Sequence, residues 1–260
     1  MISNEHKLFI KKEKIKRLMI KVIQISILFI FIVSWELLSK YNLINSFITS
    51  SPSNIIKTII NLYNQNNLFI HIITTIKEVL ISFTFTTIIS LLIATLLYSF
   101  PIIAKIFDPY LTILNSLPKV ALGPLIIITL GANQKSIITM SILIAIITSI
   151  QTIYTGFIKT DKNKIKFMKS INASKKEILF NLIIPSNKET IISSLKINIS
   201  LCLIGVIQGE FLTSKAGLGY LIIYGTQIFN LNLVMASIII LTIISYIMYI
   251  IINNKKSRNF

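Results

Sequence analysis

Long apolar runs alternate along this chain with short polar stretches that are rich in lysine. A helix that crosses a bilayer needs about 20 mostly apolar residues. The pattern therefore predicts six spans, at residues 18–38, 79–100, 111–132, 137–158, 197–214 and 231–252. The third and fifth are weaker in hydropathy, the third because it contains Pro118, Lys119 and Pro124, so a count of five spans stays open.

Composition supports a membrane protein, since 53% of the residues are hydrophobic, 13% are charged and the mean hydropathy is +0.78. Soluble globular domains rarely reach such values. We therefore expect an all-α, polytopic membrane bundle embedded in a lipid bilayer. The net charge of +17 would indicate nucleic acid in a soluble protein. Here the lysines lie between the apolar runs, which favours a membrane surface and argues against a nucleic-acid partner.

The distribution of basic residues predicts the orientation. With the N-terminus inside, five of the 26 Lys and Arg residues lie outside, whereas Lys105 and Lys119 count with the inner residues around the turn that joins the second span to the third. This bias predicts cytoplasmic N- and C-termini. The domains are then a basic N-terminus at 1–17, a transmembrane domain at 18–252 and a basic tail at 253–260. Outside, Asn61 to Ile76 is expected to form an interfacial helix.

A cytoplasmic loop at 159–196 carries the most informative local pattern. Asp161 can cap a short helix in which Ile165, Met168 and Ile171 form an apolar stripe. Asn172 should end this helix, because Asn tolerates the left-handed conformation better than any residue except Gly.

A second short helix should follow directly. Ser174 and Glu177 have the spacing of a capping box, which predicts a helix from Lys175 to Ile184 that Pro185 stops. Its apolar face consists of Ile178, Leu179, Leu182 and Ile183. Ser186 and Glu189 repeat the box and should start the helix that enters the fifth span.

Taken alone, this loop has two other readings. It is equally compatible with a solvated basic connector whose apolar stripes rest on the bundle. A DNA-binding helix-turn-helix also matches the spacing, but both of its ends are tethered to membrane spans.

The loop resembles the EAA loop of ATP-binding-cassette (ABC) importer permeases. That motif consists of Glu-Ala-Ala, three residues, Gly, nine residues and then Ile-x-Leu-Pro. It falls here on Lys166-Phe167-Met168, on Asn172 and on Leu182-Ile183-Ile184-Pro185, and Ala173-Ser174 matches the common continuation after the Gly. This chain departs from the motif because it lacks the Glu-Ala-Ala and has Asn172 in place of the Gly.

Further short segments, in the same order and spacing, resemble the nitrate, sulfonate and taurine-type permeases of this family. They are Trp35-Glu36-Leu37-Leu38, Ser51-Pro52-Ser53, Pro118-Lys119-Val120-Ala121-Leu122-Gly123-Pro124-Leu125, Leu130-Gly131, and Glu210 with Ala216-Gly217-Leu218-Gly219-Tyr220. The resemblance covers nearly the whole chain and implies a type I ABC importer permease fold in a bacterial cell membrane.

The same resemblance implies partners. A second copy would complete the pathway as a homodimer, cytoplasmic ABC ATPase subunits would bind the loop, and an extracytoplasmic solute-binding protein would deliver the substrate. ATP and Mg would be bound by the ATPase and no cofactor by this chain, since none of its 8 glycines lies in a G-x-x-x-x-G-K-S/T motif. The residues expected to couple to the ATPase are Lys166, Met168, Lys169, Ser170, Asn172, Ala173, Ser174, Glu177 and Pro185.

Two other groups of residues are candidates for function. Pro118 and Pro124 interrupt the third span, which is tolerated where backbone lines a cavity or is buried, so a pathway wall and a packing kink are both open. Glu210 is a membrane-depth carboxylate and is expected at a pathway or gate position, with a snorkelling surface residue as the open alternative. Gly217, Leu218 and Gly219 are expected in an outer loop that contacts the binding protein, although a plain loop is an open alternative.

Two rival functions remain at this point. A secondary transporter would display ion-coupling acids or inverted repeats at mid-membrane, and Glu210 is the one acid that qualifies. A membrane enzyme would need several converging polar groups, and we find no catalytic or metal-binding pattern. The family resemblance suggests as substrate a small anion, such as a sulfonate, nitrate or taurine, or a vitamin precursor.

Overall fold

A computed structural model describes residues 4–65 and 67–257, and these residues form helices and connecting turns without a strand. Five of the helices are long and apolar enough to cross a membrane. In chain order, the α-helices are α1 (Asn4–Lys40), α2 (Ser46–Thr49), α3 (Pro52–Asn64), α4 (Leu68–Ser99), α5 (Pro101–Ser116), α6 (Gly123–Leu130), α7 (Gln134–Ile158), α8 (Lys162–Ser170), α9 (Lys175–Ile178), α10 (Ile184–Ser186), α11 (Lys188–Thr213), α12 (Leu218–Gln227) and α13 (Leu231–Ser257).

The predicted third span is a bent pair of helices rather than a single helix over 111–132. The segments Pro101–Ser116 and Lys119–Leu130 meet at an angle of 86°. The prediction of an interruption is confirmed at Pro118, which follows the last residues of α5 and has no N–H to continue its hydrogen bonds. Pro124 does not break a helix, because it lies in the first turn of α6, where no intrahelical N–H is required. Counting the pair as one span gives six.

The expected interfacial helix at Asn61–Ile76 is wrong. The chain instead forms α3, which Ser51 caps by accepting a hydrogen bond from the Asn54 N–H at 3.3 Å, and then α4, which starts at Leu68 and runs unbroken to Ser99. The second span therefore begins well before Val79.

The centre of the molecule consists of α4, α7 and α11, with α7 packed along both of the others. Small residues permit the close approach: a Cβ added at Gly205 would lie 2.5 Å from the Cα of Ser141. The three helices also meet at three serines. The hydroxyl of Ser149 in α7 donates to that of Ser90 in α4 at 2.9 Å and lies 3.2 Å from that of Ser194 in α11. The segment at residues 159–187 lies at one end of this bundle, which we call the loop-bearing end.

Helix α1 stands apart from this core. None of the apolar window of its candidate span is buried. Its C-terminal end is fastened to α3, because Glu36 accepts hydrogen bonds from the Ser53 hydroxyl at 2.7 Å and from the Ser53 N–H at 3.0 Å. Its apolar surface is therefore free for lipid or for another transmembrane chain.

Candidate functional site

The first half of the 159–187 segment folds as its sequence predicts. Asp161 caps α8 by accepting a 2.8 Å hydrogen bond from the Asn163 N–H. Asn172 ends the helical region in the left-handed conformation, with φ of 56°. Of the predicted stripe, Ile165 and Met168 pack on the bundle, but Ile171 is 59% exposed.

The second half is only partly as predicted. The capping box is confirmed: the Glu177 carboxylate accepts from the Ser174 N–H at 2.7 Å, and the Ser174 hydroxyl accepts from the Glu177 N–H at 3.3 Å. The hydrogen bond from the Ser174 backbone is the main cause that lowers the pKa of Glu177 below its ordinary value.

The predicted stop at Pro185 is wrong, because helical structure continues past this residue. A wider π-helical turn at Leu179–Ile183 precedes Pro185, which then lies in the first turn of α10. Since Pro185 offers no N–H to the carbonyl of Asn181, the widened turn accommodates the missing bond. Ser186 lies inside α10, so the predicted second capping box is also wrong, and α11 begins at Lys188 after Asn187.

One face of the segment is anchored firmly to the bundle. Ile178, Leu179 and Ile183 are buried against a cluster that includes Ile153 and Phe157 of α7, which confirms the predicted apolar face. Next to this cluster, the buried Asn187 side chain donates to the Thr160 hydroxyl at 2.7 Å and to the Ile183 carbonyl at 2.8 Å. A displacement of this segment must therefore also displace the helices beneath it.

The opposite face is open and carries large apolar side chains. Phe167 is 65% exposed, Ile171 59% and Phe180 62%. We call these three residues the exposed apolar set. Of the residues predicted to couple to an ATPase, Met168 and Ala173 are half-buried and pack against the bundle. The others are exposed: Lys166, Lys169, Ser170, Asn172, Ser174, Glu177 and Pro185. Sequence reasoning missed Phe180, although an aromatic residue in a lysine-rich loop is a usable signal.

The second candidate region is the bend between α5 and α6. Pro118 and Pro124 are both exposed on its surface, and their predicted place in a pathway wall stays a prediction. The sequence places Lys119 around an inner turn. In the structure it lies instead against the middle of α7. Its ammonium group donates to the Asn115 side-chain oxygen at 3.2 Å and to the carbonyl of Ile144, within α7, at 3.4 Å.

Glu210 lies toward the end of the bundle opposite the loop, with 1% of its surface exposed. Its carboxylate accepts hydrogen bonds from the Thr75 hydroxyl and the Gly219 N–H, both at 2.6 Å. The Thr75 oxygen in turn accepts from the Leu218 N–H at 2.8 Å. Glu210 therefore holds the N-terminal turn of α12 inside the chain. Its predicted pathway or gate position stays a prediction.

The turn that Glu210 holds is itself buried. Gly217 has φ of 121°, and its N–H donates to Nδ1 of His71 at 3.0 Å. A side chain added at Gly217 would collide with the Glu210 carboxylate. The structure buries Gly217, Leu218 and Gly219, and their expected contact with a binding protein stays a prediction.

Comparison with known proteins gives a consistent result. Residues 86–254 match the family model described as binding-protein-dependent transport system inner membrane component. The chain is 26% identical to a probable ABC transporter permease protein of Haemophilus influenzae, over 85% of this chain and 89% of that protein. It is 23% identical to the formylaminopyrimidine transport permease protein of Halalkalibacterium halodurans, over 72% and 74% of the two chains.

A further relative carries a sulfonate name. The chain is 22% identical to the putative aliphatic sulfonates transport permease protein of Bacillus subtilis, over 83% of this chain and 78% of that protein. The matched region extends from the middle of α4 to α13 and thus includes the central bundle, the bend at Pro118 and the loop-bearing end. The chain belongs to the binding-protein-dependent transport system inner membrane components, as a multi-pass permease subunit of an ABC importer of the sulfonate-transporter type.

Proposed function

We propose that two copies of this chain form the translocation pathway of the importer and that the 159–187 segment transmits work from a separate ATPase subunit. The observation that carries this proposal is the two-sided character of the segment. One side is locked to α4 and α7 through Ile178, Leu179 and Ile183, and the other presents the exposed apolar set amid lysines. Such a surface suits a partner groove that buries the aromatic residues.

Coupling requires that each state of the bundle bind the ATPase with a different free energy. The Asn187 and capping-box hydrogen bonds support movement of the segment as one body. In this mechanism, closure of the ATPase dimer on ATP shifts the segment, and α7 and α11 shift with it. The pathway then alternates between opening to the cytoplasm and opening to the outer face, where a binding protein delivers the solute.

The proposed orientation places the loop-bearing end in the cytoplasm. The lysine-rich composition of residues 159–196 supports it, because basic residues concentrate on the cytoplasmic side of membrane proteins. This orientation also places both termini in the cytoplasm.

For the substrate we propose a small organic anion of the sulfonate class. The name of the Bacillus subtilis relative supports this class. The Halalkalibacterium halodurans relative carries the name of a different compound, a formylaminopyrimidine, so a vitamin precursor is the competing substrate.

The test is uptake by proteoliposomes that contain this permease, the ATPase subunit and the binding protein encoded with it. Ethanesulfonate and formylaminopyrimidine would be supplied separately, with ion gradients collapsed by ionophores. The proposal expects uptake that requires ATP and persists without gradients. Uptake that follows an ion gradient and ignores ATP would overturn it.

A further inference from the structure

One lysine of this chain lies at mid-depth in the bundle. The carbonyl of Ile144, which accepts from the Lys119 ammonium, is ten residues after the start of α7 and fourteen before its end. At 1.5 Å per residue it lies about 15 Å from one end of the helix and about 21 Å from the other. A cation at such depth is costly unless protein or water solvates it, and it marks a functional position.

The surroundings of Lys119 leave its charge uncompensated. Both of its hydrogen-bond acceptors, the Asn115 amide and the Ile144 carbonyl, are neutral. No carboxylate pairs with it in the described part of the chain, and the acid of its neighbouring helix α5, Asp108, lies seven residues before Asn115. An ammonium group has three donors, so one donor of Lys119 has no acceptor among the described residues.

Asn115 is oriented so that it too offers donors. Its side-chain oxygen accepts twice, from Lys119 at 3.2 Å and from the Thr148 hydroxyl at 3.0 Å. The side-chain oxygen of Asn115 is therefore occupied by Lys119 and Thr148. The amide NH₂ of Asn115 stays available as a donor, because it has no hydrogen-bond acceptor within the described residues. The side chain of Asn115 is exposed, so this NH₂ is open to a ligand. Thr148 positions the amide through its hydroxyl and does not itself donate to a ligand.

A polar stripe leads away from this cluster along α7. Thr148, Thr152, Thr155 and Lys159 follow at intervals of four, three and four residues, which keeps them on one face of the helix. The last three line a cavity of about 480 Å³ that opens near the loop-bearing end. The stripe thus begins beside the cluster of Lys119 and Asn115 and ends at Lys159.

We propose that Lys119 and Asn115, with Thr148 as the positioning residue, form a mid-membrane binding site for the oxyanion group of the transported solute. The free groups of the site are donors and its charge is positive, which matches a sulfonate, carboxylate or phosphate and disfavours a cation. This inference rests on the proposed function, because it assigns the site to the pathway of the importer.

The test uses the full chain in membrane vesicles, with Thr152→Cys as the reporter beside the site. Two thiol reagents of similar size are compared, a methanethiosulfonate that carries a sulfonate and one that carries a trimethylammonium group. The native Cys202 is buried, and the chain without the new cysteine gives the background. The quantity measured is the ratio of the two modification rates.

The proposal expects the Lys119→Gln change to lower the sulfonate-to-ammonium rate ratio about tenfold, because a positive cleft concentrates anions by this order. Lys119→Arg should keep the ratio. Asn115→Asp should lower the ratio, because it adds a negative charge, although the new carboxylate still accepts a hydrogen bond from Lys119. Lys105→Gln, an exposed lysine of α5, is the matched control and should change nothing. Added ethanesulfonate should slow modification of the parent reporter and not of its Lys119→Gln derivative, whereas choline should slow neither.

An unchanged ratio in Lys119→Gln would overturn the proposal, and so would the absence of modification at Thr152→Cys by either reagent. The assay requires neither ATPase nor uptake. A failure of charge selection is therefore distinct from a failure of ATP coupling, which the proteoliposome experiment measures.

Discussion

The hydroxyl of Thr75 donates to the carboxylate of Glu210 across 2.6 Å, which joins α4 to α11 over 135 residues of sequence. The carboxylate also holds the N–H of Gly219, and Thr75 holds that of Leu218. Two spanning helices and the start of α12 thus converge on one buried group. Because Glu210 of α11 and its partners in α4 and α12 bring three elements together, we regard this contact as the fastening of the end of the bundle opposite the loop.

Replacing Glu210 by Ala should destabilise the protein. The change leaves the Gly219 N–H and the Thr75 hydroxyl buried without an acceptor, and each such group costs about 1–3 kcal/mol. We expect the free energy of unfolding of the purified chain in detergent to fall by about 2 kcal/mol or more, with a lower Tm. Glu13→Ala, which removes an exposed ion pair to Arg17, is the control and should have little effect. A Tm of Glu210→Ala equal to that of the control would contradict the fastening.

Gly217→Ala should also be destabilising, for a different reason. The backbone at Gly217 has φ of 121°, and a Cβ there would collide with the Glu210 carboxylate. Gly131 offers a matched comparison, because its φ is 82° and the nearest atom to an added Cβ is the Asn133 side-chain nitrogen at 3.2 Å. Both substitutions strain the backbone, so the larger loss of Tm expected for Gly217→Ala measures the close approach. Equal losses of Tm at the two positions would show that the Glu210 carboxylate moves aside and that the close approach costs little stability.

Ala173→Asp should uncouple the ATPase. Ala173 is half-buried at the turn between α8 and α9, and a carboxylate there adds charge to the proposed docking surface. We expect loss of ATPase co-purification and of transport-linked ATP hydrolysis, while the spans still insert. Ala173→Ser, which is small and uncharged, should retain both. Normal coupled hydrolysis by Ala173→Asp would argue that the partner docks elsewhere.

The capping box makes the loop sensitive to acid. The folded chain lowers the pKa of Glu177, chiefly through the Ser174 N–H, so ionised Glu177 favours the folded loop. This contribution is fully present above the unfolded pKa and is lost as the pH falls through the folded one. The Tm advantage of the native chain over Glu177→Gln should therefore be constant at neutral pH and disappear in the acid range below about pH 4.5. An advantage that did not vary with pH would rule out the charged cap.

Local rules predict the helix caps of the loop, but they predict neither its π-helical turn at Leu179–Ile183 nor the distant contacts. Asp161, Asn172 and Ser174 act on backbone groups within three residues, so their roles can be read from adjacent positions. The partners of Glu210 could not be found in this way, because Thr75 is supplied by another span. The contact of the Gly217 N–H with His71 could not be found for the same reason.

Depth along the bundle was also beyond sequence reasoning. The spacing of the apolar runs places Lys119 around an inner turn, because it does not reveal that α5 begins as early as Pro101. In the structure α5 starts at Pro101 and climbs to mid-depth before the bend at Pro118, which carries Lys119 against the middle of α7. Antiparallel packing of α5 on α7 fixes this register, and no local pattern encodes it.

The most direct test of the coupling claim is site-specific photocrosslinking in intact cells. A photoreactive benzoylphenylalanine would replace Phe180, which is 62% exposed on the loop, or Phe229, which is 73% exposed in the turn between α12 and α13. The account predicts that the probe at Phe180 captures a polypeptide with a G-x-x-x-x-G-K-S/T motif and that the probe at Phe229 does not. Capture of no such polypeptide at Phe180, or equal capture at both positions, would contradict it.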